Sequence, residues 1–159
     1  MLERLSRIYR RSAGVAYDAA QLLRRDPASA LLLLRMAGWV TALSLLVRVM
    51  PLPRILSLMQ PRPRPARKQE DAEEVQARLA QLLDLLLATD FLCFTPTCWK
   101  RAPVLHRYLA LRGIESSIVF GVRKESDGLL AGHAWLESSG RPLLETRFPE
   151  YTRTYSFPA

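Results

Sequence analysis

Apolar residues recur at helical spacing in the first half of the chain. Residues 2–24 carry apolar side chains three and four apart, which predicts an amphipathic helix. Asp26 and Pro27 then signal a second start, since Asp is a good N-cap and Pro suits the first helical position. The helix that follows, over residues 27–49, is apolar along nearly its whole length.

This second helix is the membrane candidate of the chain. Its charge-free run, Met36–Val47, has 12 residues, which is short of the roughly 20 that span a bilayer. A longer stretch, Ala28–Val47, includes Arg35, whose charge would be costly in the middle of the bilayer. We therefore expect a buried or interfacial helix rather than a true span.

The second half of the chain changes from helical spacing to alternation. Helices are predicted from about residue 70 to Leu87 and from Cys98 to Arg112, with Gly113 as a helix stop. Pro103 means that the latter helix is either kinked or begins later. Three alternating runs follow, and we predict from them an antiparallel three-stranded meander. These runs cover residues 114–122, 129–137 and 141–147.

These elements predict an α+β protein in three parts. Residues 1–60 form a basic helical region, and residues 61–69 form a Pro- and Arg-rich extended linker, after which the charge changes sign. Residues 70–159 form the domain in which a helix packs on an antiparallel sheet.

Composition narrows the class of protein and its surroundings. The chain has 159 residues, 49% of them apolar, and a net charge of +8. Residues 1–68 hold 13 Lys and Arg against 3 acids, so the basic face belongs to the N-terminal part, where peripheral membrane contact is an option. No nucleic-acid-binding motif accompanies this basic face, and no nucleic-acid partner is expected.

The cysteine content bears on location and on metal binding. The chain has only two cysteines, and no secretory signal is recognised, so we expect a cytoplasmic location, with association at the membrane as an option. The cysteine spacing offers no metal site, and no cofactor is predicted.

Cys98 and His133 lie in the settings that a thiolate–imidazole pair requires. Cys98 is at a predicted helix start, where unpaired N–H groups and the helix dipole favour the thiolate. His133 is in the middle of an alternating strand that could pack against that helix and supply a base. Such a pair would make the chain a cysteine hydrolase or acyltransferase.

Glu145 is the candidate for the group that orients the histidine. A three-residue loop over residues 138–140 would place Glu145 directly opposite His133, with Trp135 opposite Leu143. A two- or four-residue loop would put Thr146 there instead and turn Glu145 to the other face. The same alternation puts Trp135 on the face of His133, where it would shield the site and fill the core.

Each of these residues also has an interpretation without chemistry. Cysteine is commonly a small buried hydrophobe. This is our interpretation of Cys93, and it is the alternative interpretation of Cys98 when that residue is taken alone. His106 is interpreted as a solvated or packing residue, and Glu137 as a solvated charge at a strand end.

Several short motifs together resemble one known family. They are Cys98-Trp99-Lys100-Arg101-Ala102, Leu111-Arg112-Gly113-Ile114, Val119-Phe120-Gly121-Val122-Arg123 and Gly132-His133-Ala134-Trp135-Leu136-Glu137. In this combination they resemble the transglutaminase-like, papain-type cysteine proteases, and among them the leader peptidases of lasso-peptide biosynthesis. The resemblance covers residues 91–147.

The resemblance implies a mechanism and a set of partners. Cys98 is then the nucleophile, His133 the base and Glu145 the orienting residue, at a position that is often aspartate in the family. Trp99, Trp135 and Thr97 are expected to line the site. The Cys98 N–H would supply one oxyanion donor, and either Thr97 or Thr95 could lie close enough to supply the second.

The expected substrate is a ribosomally synthesised precursor peptide. Because the sequence contains no further domain for leader recognition, it resembles the split form, which implies a separate small leader-recognition protein and the lasso cyclase as partners. The alternatives are a transamidase or deamidase on the same scaffold, and a non-catalytic membrane-associated scaffold subunit.

Overall fold

A computed structural model of the chain describes residues 26–61, 72–90, 93–126, 128–145 and 150–158. Within these residues a helical part precedes an antiparallel sheet, so the predicted α+β class and order are confirmed. The predicted helix over residues 2–24, and all but the first residue of the predicted linker, lie outside the described residues. The elements are α1 (Pro27–Leu46), α2 (Leu52–Met59), α3 (Ala72–Leu87), α4 (Cys98–Leu111), β1 (Ser117–Lys124), β2 (Leu130–Ser138), β3 (Arg141–Leu143) and β4 (Thr152–Phe157).

Local end signals are confirmed at both helices for which they were predicted. The Asp26 side chain caps α1 by accepting hydrogen bonds from the N–H groups of Ala28 and Ser29, at 3.0 and 3.2 Å. At the end of α4, Gly113 has a φ of 75°, and the N–H of Ile114 donates to the Leu109 carbonyl at 3.0 Å. A residue with a side chain would be strained at that φ, which is why glycine stops the helix.

The sheet is larger than the predicted meander. Its strand order is β3-β2-β1-β4, all antiparallel, and β4 pairs along the free side of β1. The prediction lacked β4 because five of its six residues are exposed, so no alternation of apolar and polar residues marks it. The prediction also lacked α2. One helix was predicted to run to about Val49, whereas α1 ends at Leu46 and a turn separates it from α2.

The predicted register of the β2–β3 hairpin is wrong. The loop has two residues, Ser139 and Gly140, with φ of 50° and 75°, and Glu137 lies opposite Pro142. Two successive positive φ values match the tight turn whose twist suits a hairpin. The strand then ends at Leu143, so the alternation that was expected to carry Glu145 to His133 does not reach Glu145.

One apolar core joins all four helices to one face of the sheet. The face is marked by Phe157 of β4, whose ring lies 6.3 Å from the ring of His106 on α4. Helix α4 therefore packs on this face of the sheet. Cys98 is its first residue and lies at the N-terminal end of the helix. The fully buried core side chains include Met36, Val40, Leu43, Ile55, Leu83, Val104, Leu105 and Leu109.

His106 should make the stability of the protein depend on pH. Burial lowers its pKa below the ordinary 6.5, and a hydrogen bond with the Ser116 backbone only partly opposes this. The His106 Nδ1 is also within hydrogen-bond distance of the Ser116 hydroxyl, at 3.0 Å. Above pH 6.5 the imidazole is neutral in both the folded and the unfolded state. Below it the unfolded chain binds the proton more readily, so the free energy of unfolding decreases by up to about 1.4 kcal/mol per pH unit.

Urea unfolding at a series of pH values between about 5 and 8 would measure this dependence. His106→Gln keeps a partner for Ser116 and should flatten the curve in that range. An unchanged slope in the variant would contradict the assignment to His106.

Candidate active site

Cys98 is the first residue of α4. The preceding residue, Thr97, is extended, with φ −124° and ψ 137°, and its carbonyl accepts the N–H groups of Lys100 and Arg101 at 3.1 Å each. No side chain caps this end of the helix. The helix runs through Pro103 without a later start, so the expected position of the cysteine at a helix N-terminus is confirmed.

Lys100 holds the segment that precedes Cys98 through two hydrogen bonds. Its side chain is buried, and its Nζ donates to the carbonyl of Cys93 at 2.9 Å and to the hydroxyl of Thr95 at 2.6 Å. A buried ammonium is costly unless it is hydrogen-bonded, so these two acceptors fix the path of residues 93–97. No pattern in the sequence indicates this role, because a lysine in a first helical turn is ordinarily solvated.

Two of the expected wall residues lie at this helix start. The Thr97 hydroxyl is buried and has no hydrogen-bond partner within the described residues. Trp99 is half-buried against the core, and its ring lies 5.3 Å from the Lys100 ammonium. Thr95 already accepts a hydrogen bond from Lys100, whereas Thr97 keeps a free hydroxyl beside Cys98.

His133 and Glu145 meet even though the predicted register fails. The His133 Nε2 lies 3.9 Å from a carboxylate oxygen of Glu145, and both side chains are about one-quarter exposed. Between β3 and Glu145, Leu144 adopts a φ of 59°, which breaks the extended chain. That break, rather than strand alternation, brings the carboxylate to the imidazole.

His133, Trp135 and Tyr151 form an aromatic cluster. The rings of His133 and Trp135 are stacked, with centroids 5.8 Å apart, which confirms that they share a face. The Tyr151 ring lies 5.2 Å from that of His133 and 6.3 Å from that of Trp135. The sequence did not predict a role for Tyr151, because this residue directly precedes β4, a strand without alternation of apolar and polar residues.

The interpretation of Glu137 as a solvated charge is wrong. This carboxylate is only 3% exposed, and one oxygen accepts the Trp135 indole N–H and an Arg153 N–H, each at 2.8 Å. Arg153 comes from β4, which the prediction lacked, so the partner that compensates the buried charge was not foreseeable. Glu137 thereby fixes the Trp135 ring beside His133.

Arg101 connects the first turn of α4 to α3. Its guanidinium donates two hydrogen bonds to Asp84 of α3, at 2.7 and 3.1 Å. The hydrogen bond to Asp84 is the main reason that the pKa of Arg101 is raised, and the negative charge of Glu145 adds to it. Because Cys98 and Arg101 are three residues apart on a helix, they lie on neighbouring positions of one face.

The thiol and the imidazole are not in hydrogen-bond contact within the described part of the chain. Helix α4 packs on the sheet face that carries Ala134 and Leu136, and alternation places His133 on the other face. Of the three predicted catalytic residues, the structure thus brings His133 within 3.9 Å of Glu145, whereas Cys98, at the start of α4, makes no hydrogen bond with either of them in the part of the chain that is described.

Gly121 permits the close packing of the aromatic cluster. It lies opposite His133 in the register, and a Cβ there would come within 2.9 Å of the Tyr151 Cβ and 3.0 Å of the Trp135 ring. We expect Gly121→Ala to lower the free energy of unfolding by about 1–3 kcal/mol, since overpacking forces its neighbours to move. Urea unfolding would measure the loss.

Gly132→Ala is the matched control for this substitution. Gly132 directly precedes His133, and a Cβ there meets nothing within 4 Å. The control should unfold with a free energy close to that of the parent chain. Equal losses in the two variants would show that crowding against the cluster is not the cause.

A cleft of about 510 Å³ opens elsewhere, with His106, Ser116 and Pro158 in its lining. It lies toward the C-terminal end of α4, away from Cys98. The described residues contain no cluster of His, Cys, Asp and Glu that could hold a metal ion.

The comparison with protein families agrees with the fold. The model of the transglutaminase-like superfamily matches residues 37–156, which include Cys98, His133 and Glu145. The chain therefore belongs to the transglutaminase-like superfamily. Comparisons with curated proteins and with solved structures found no match.

Proposed function

We propose that this protein is a cysteine peptidase that removes the leader from a ribosomally synthesised lasso-peptide precursor. Cys98 is the nucleophile, His133 the general base and Glu145 the residue that orients the imidazole. Members of the transglutaminase-like superfamily act as cysteine peptidases or as transamidases, and both reactions begin with a thioester on the cysteine.

The observation that carries the proposal is the 3.9 Å approach of Glu145 to His133. An orienting residue acts on one ring nitrogen of the base, and Glu145 is a carboxylate within 4 Å of the His133 Nε2. Arg101, whose pKa the negative charge of Glu145 helps to raise, lies one turn after Cys98 on α4. Hydrogen bonds between catalytic groups are often long in substrate-free enzymes and shorten when substrate binds.

The reaction proceeds through an acyl-enzyme. The Cys98 thiolate attacks the scissile carbonyl, and the tetrahedral oxyanion accepts a hydrogen bond from the Cys98 N–H at the helix start. His133 protonates the leaving amine as the C–N bond breaks, which frees the core peptide and leaves the leader as a thioester. Water, deprotonated by His133, then attacks the thioester and releases the leader as a carboxylate.

The choice of a leader peptide as substrate depends on the combined motif around Cys98 and His133, which resembles the lasso leader peptidases. The same resemblance supports a small separate leader-recognition protein as the partner that delivers the precursor. The lasso cyclase would then take the released core.

The test combines the purified full chain with a lasso-peptide precursor and a small leader-recognition protein, each taken from the genes that adjoin its own if such genes are found there. We expect one cut, which yields a leader with a free carboxylate and a core with a free amine, detected by mass spectrometry. A parallel reaction supplies an excess of a primary amine and a glutamine-containing peptide. Coupling of the amine to glutamine without cleavage of the precursor would assign the protein to the transamidases instead.

A further inference from the structure

Helix α1 is apolar on two opposite sides. One side packs in the core, where Met36, Val40 and Leu43 are fully buried. On the other side, Leu34 is 70% exposed and Leu45 is 57% exposed. A helix on the surface of a globular domain ordinarily has a polar outer side, so the outer side of α1 has the composition of a buried one.

The exposed apolar surface continues beyond α1 and is bordered by arginines. Val49 follows α1, Leu58 lies on α2, and Arg35, Arg48 and Arg54 are exposed among them. We call these residues, with Leu31, Leu34 and Leu45, the outer surface. Among the residues that the structure describes, Arg35, Arg48 and Arg54 form no ion pair, and the only acid in residues 26–61, Asp26, is occupied by Ser29 and Arg78.

We propose that the outer surface binds the face of an anionic membrane, with α1 lying in the plane of the interface. Leucine and valine side chains would enter the boundary of the acyl chains, and the guanidinium groups would pair with lipid phosphates. From Leu31 to Leu45 the exposed side extends about 21 Å, at 1.5 Å per residue. This inference does not depend on the proposed peptidase activity.

An in-plane position fits better than a spanning one. By length and composition α1 could cross a bilayer. However, its inner side is part of the same core as α3 and α4, and the Arg107 guanidinium covers the Trp39 ring at 4.1 Å. Spanning would require α1 to leave this core, whereas in-plane binding leaves every core contact in place.

A lipid surface also fits better than a protein partner. The large exposed apolar side chains of the outer surface are all leucine or valine, on α1, the turn after it and α2. Protein interfaces are enriched in aromatic residues and methionine at their centres. Lipid phosphates are present over the whole face of an anionic membrane, so they can pair with arginines at any position of the outer surface. A protein partner would have to place a carboxylate opposite each arginine.

The test is sedimentation of the full chain with vesicles of phosphatidylcholine alone or enriched in phosphatidylglycerol. We expect binding to the anionic vesicles that weakens as salt is added. Leu34→Glu combined with Leu45→Glu should reduce the partition coefficient by tenfold or more, because two apolar anchors are lost and two acids are added. Both positions are exposed, so circular dichroism of the variant should match that of the parent.

Leu130→Glu is the matched control. Leu130 is 73% exposed at the start of β2, outside the outer surface, and its variant should bind like the parent. Three results would each overturn the proposal: no binding to anionic vesicles, equal binding by the double variant, or self-association through α1 without vesicle binding. Cleavage of a soluble precursor without vesicles should be unchanged in the double variant, which separates this proposal from the peptidase assignment.

Discussion

Cys98→Ala should abolish cleavage of the precursor while the fold is retained. The thiolate supplies the electron pair that attacks the scissile carbonyl, and alanine has no group that can form the thioester. The side chain is only half-buried at the end of the helix layer, so its removal leaves a small defect. Mass spectrometry of the precursor would measure the loss, and circular dichroism would report the fold.

The chain contains its own control for this experiment. Cys93 is the only other cysteine, is also half-buried, and its thiol lies 3.5 Å from the Thr41 hydroxyl. Cys93→Ala should keep the rate of the parent, since the contact with Lys100 uses the Cys93 carbonyl rather than the thiol. Undiminished cleavage by Cys98→Ala, or equal losses in both variants, would remove Cys98 from the mechanism.

His133→Gln should lower kcat by about 10²–10⁴-fold, the range typical of a lost general acid–base. Glutamine keeps a polar side chain beside Glu145 but cannot exchange a proton with the thiol or with the leaving amine. The loss should fall on kcat more than on KM, because the imidazole acts during bond breaking. Steady-state kinetics with the precursor would separate the two constants.

His106→Gln is the corresponding control, because His106 is the only other histidine. It is buried against Phe157 and bonded to Ser116, near the opposite end of α4 from Cys98. Its substitution should change the pH dependence of stability and leave kcat close to that of the parent. A full rate in His133→Gln would contradict the assignment of the base.

The predictions that succeeded depend on neighbours in the sequence. The Asp26 cap, the stop at Gly113 and the start of α4 at Cys98 are each decided within one or two turns of chain. The shared face of His133 and Trp135 follows from strand alternation alone. Such features need no knowledge of what packs against them.

The predictions that failed depend on contacts between distant segments. Glu137 was assigned to solvent because its partner, Arg153, lies on a strand without an apolar pattern. The hairpin register was wrong by one residue because two loop lengths were compatible with the same sequence of Ser and Gly. Lys100 was not recognised as buried because its acceptors lie in an irregular segment before the helix.

The sequence by itself determined the α+β order, the position of Cys98 at a helix N-terminus and the strand that carries His133, since local spacing and end signals specify these. Only the tertiary structure decided how the site is arranged. The left-handed turn at Leu144 brings Glu145 to His133, and the pairing of β4 buries Glu137 beneath Trp135. The packing of α4 against α3 brings Arg101 to Asp84. Each of these depends on the free energy of contacts between segments far apart in the chain, which no local pattern records.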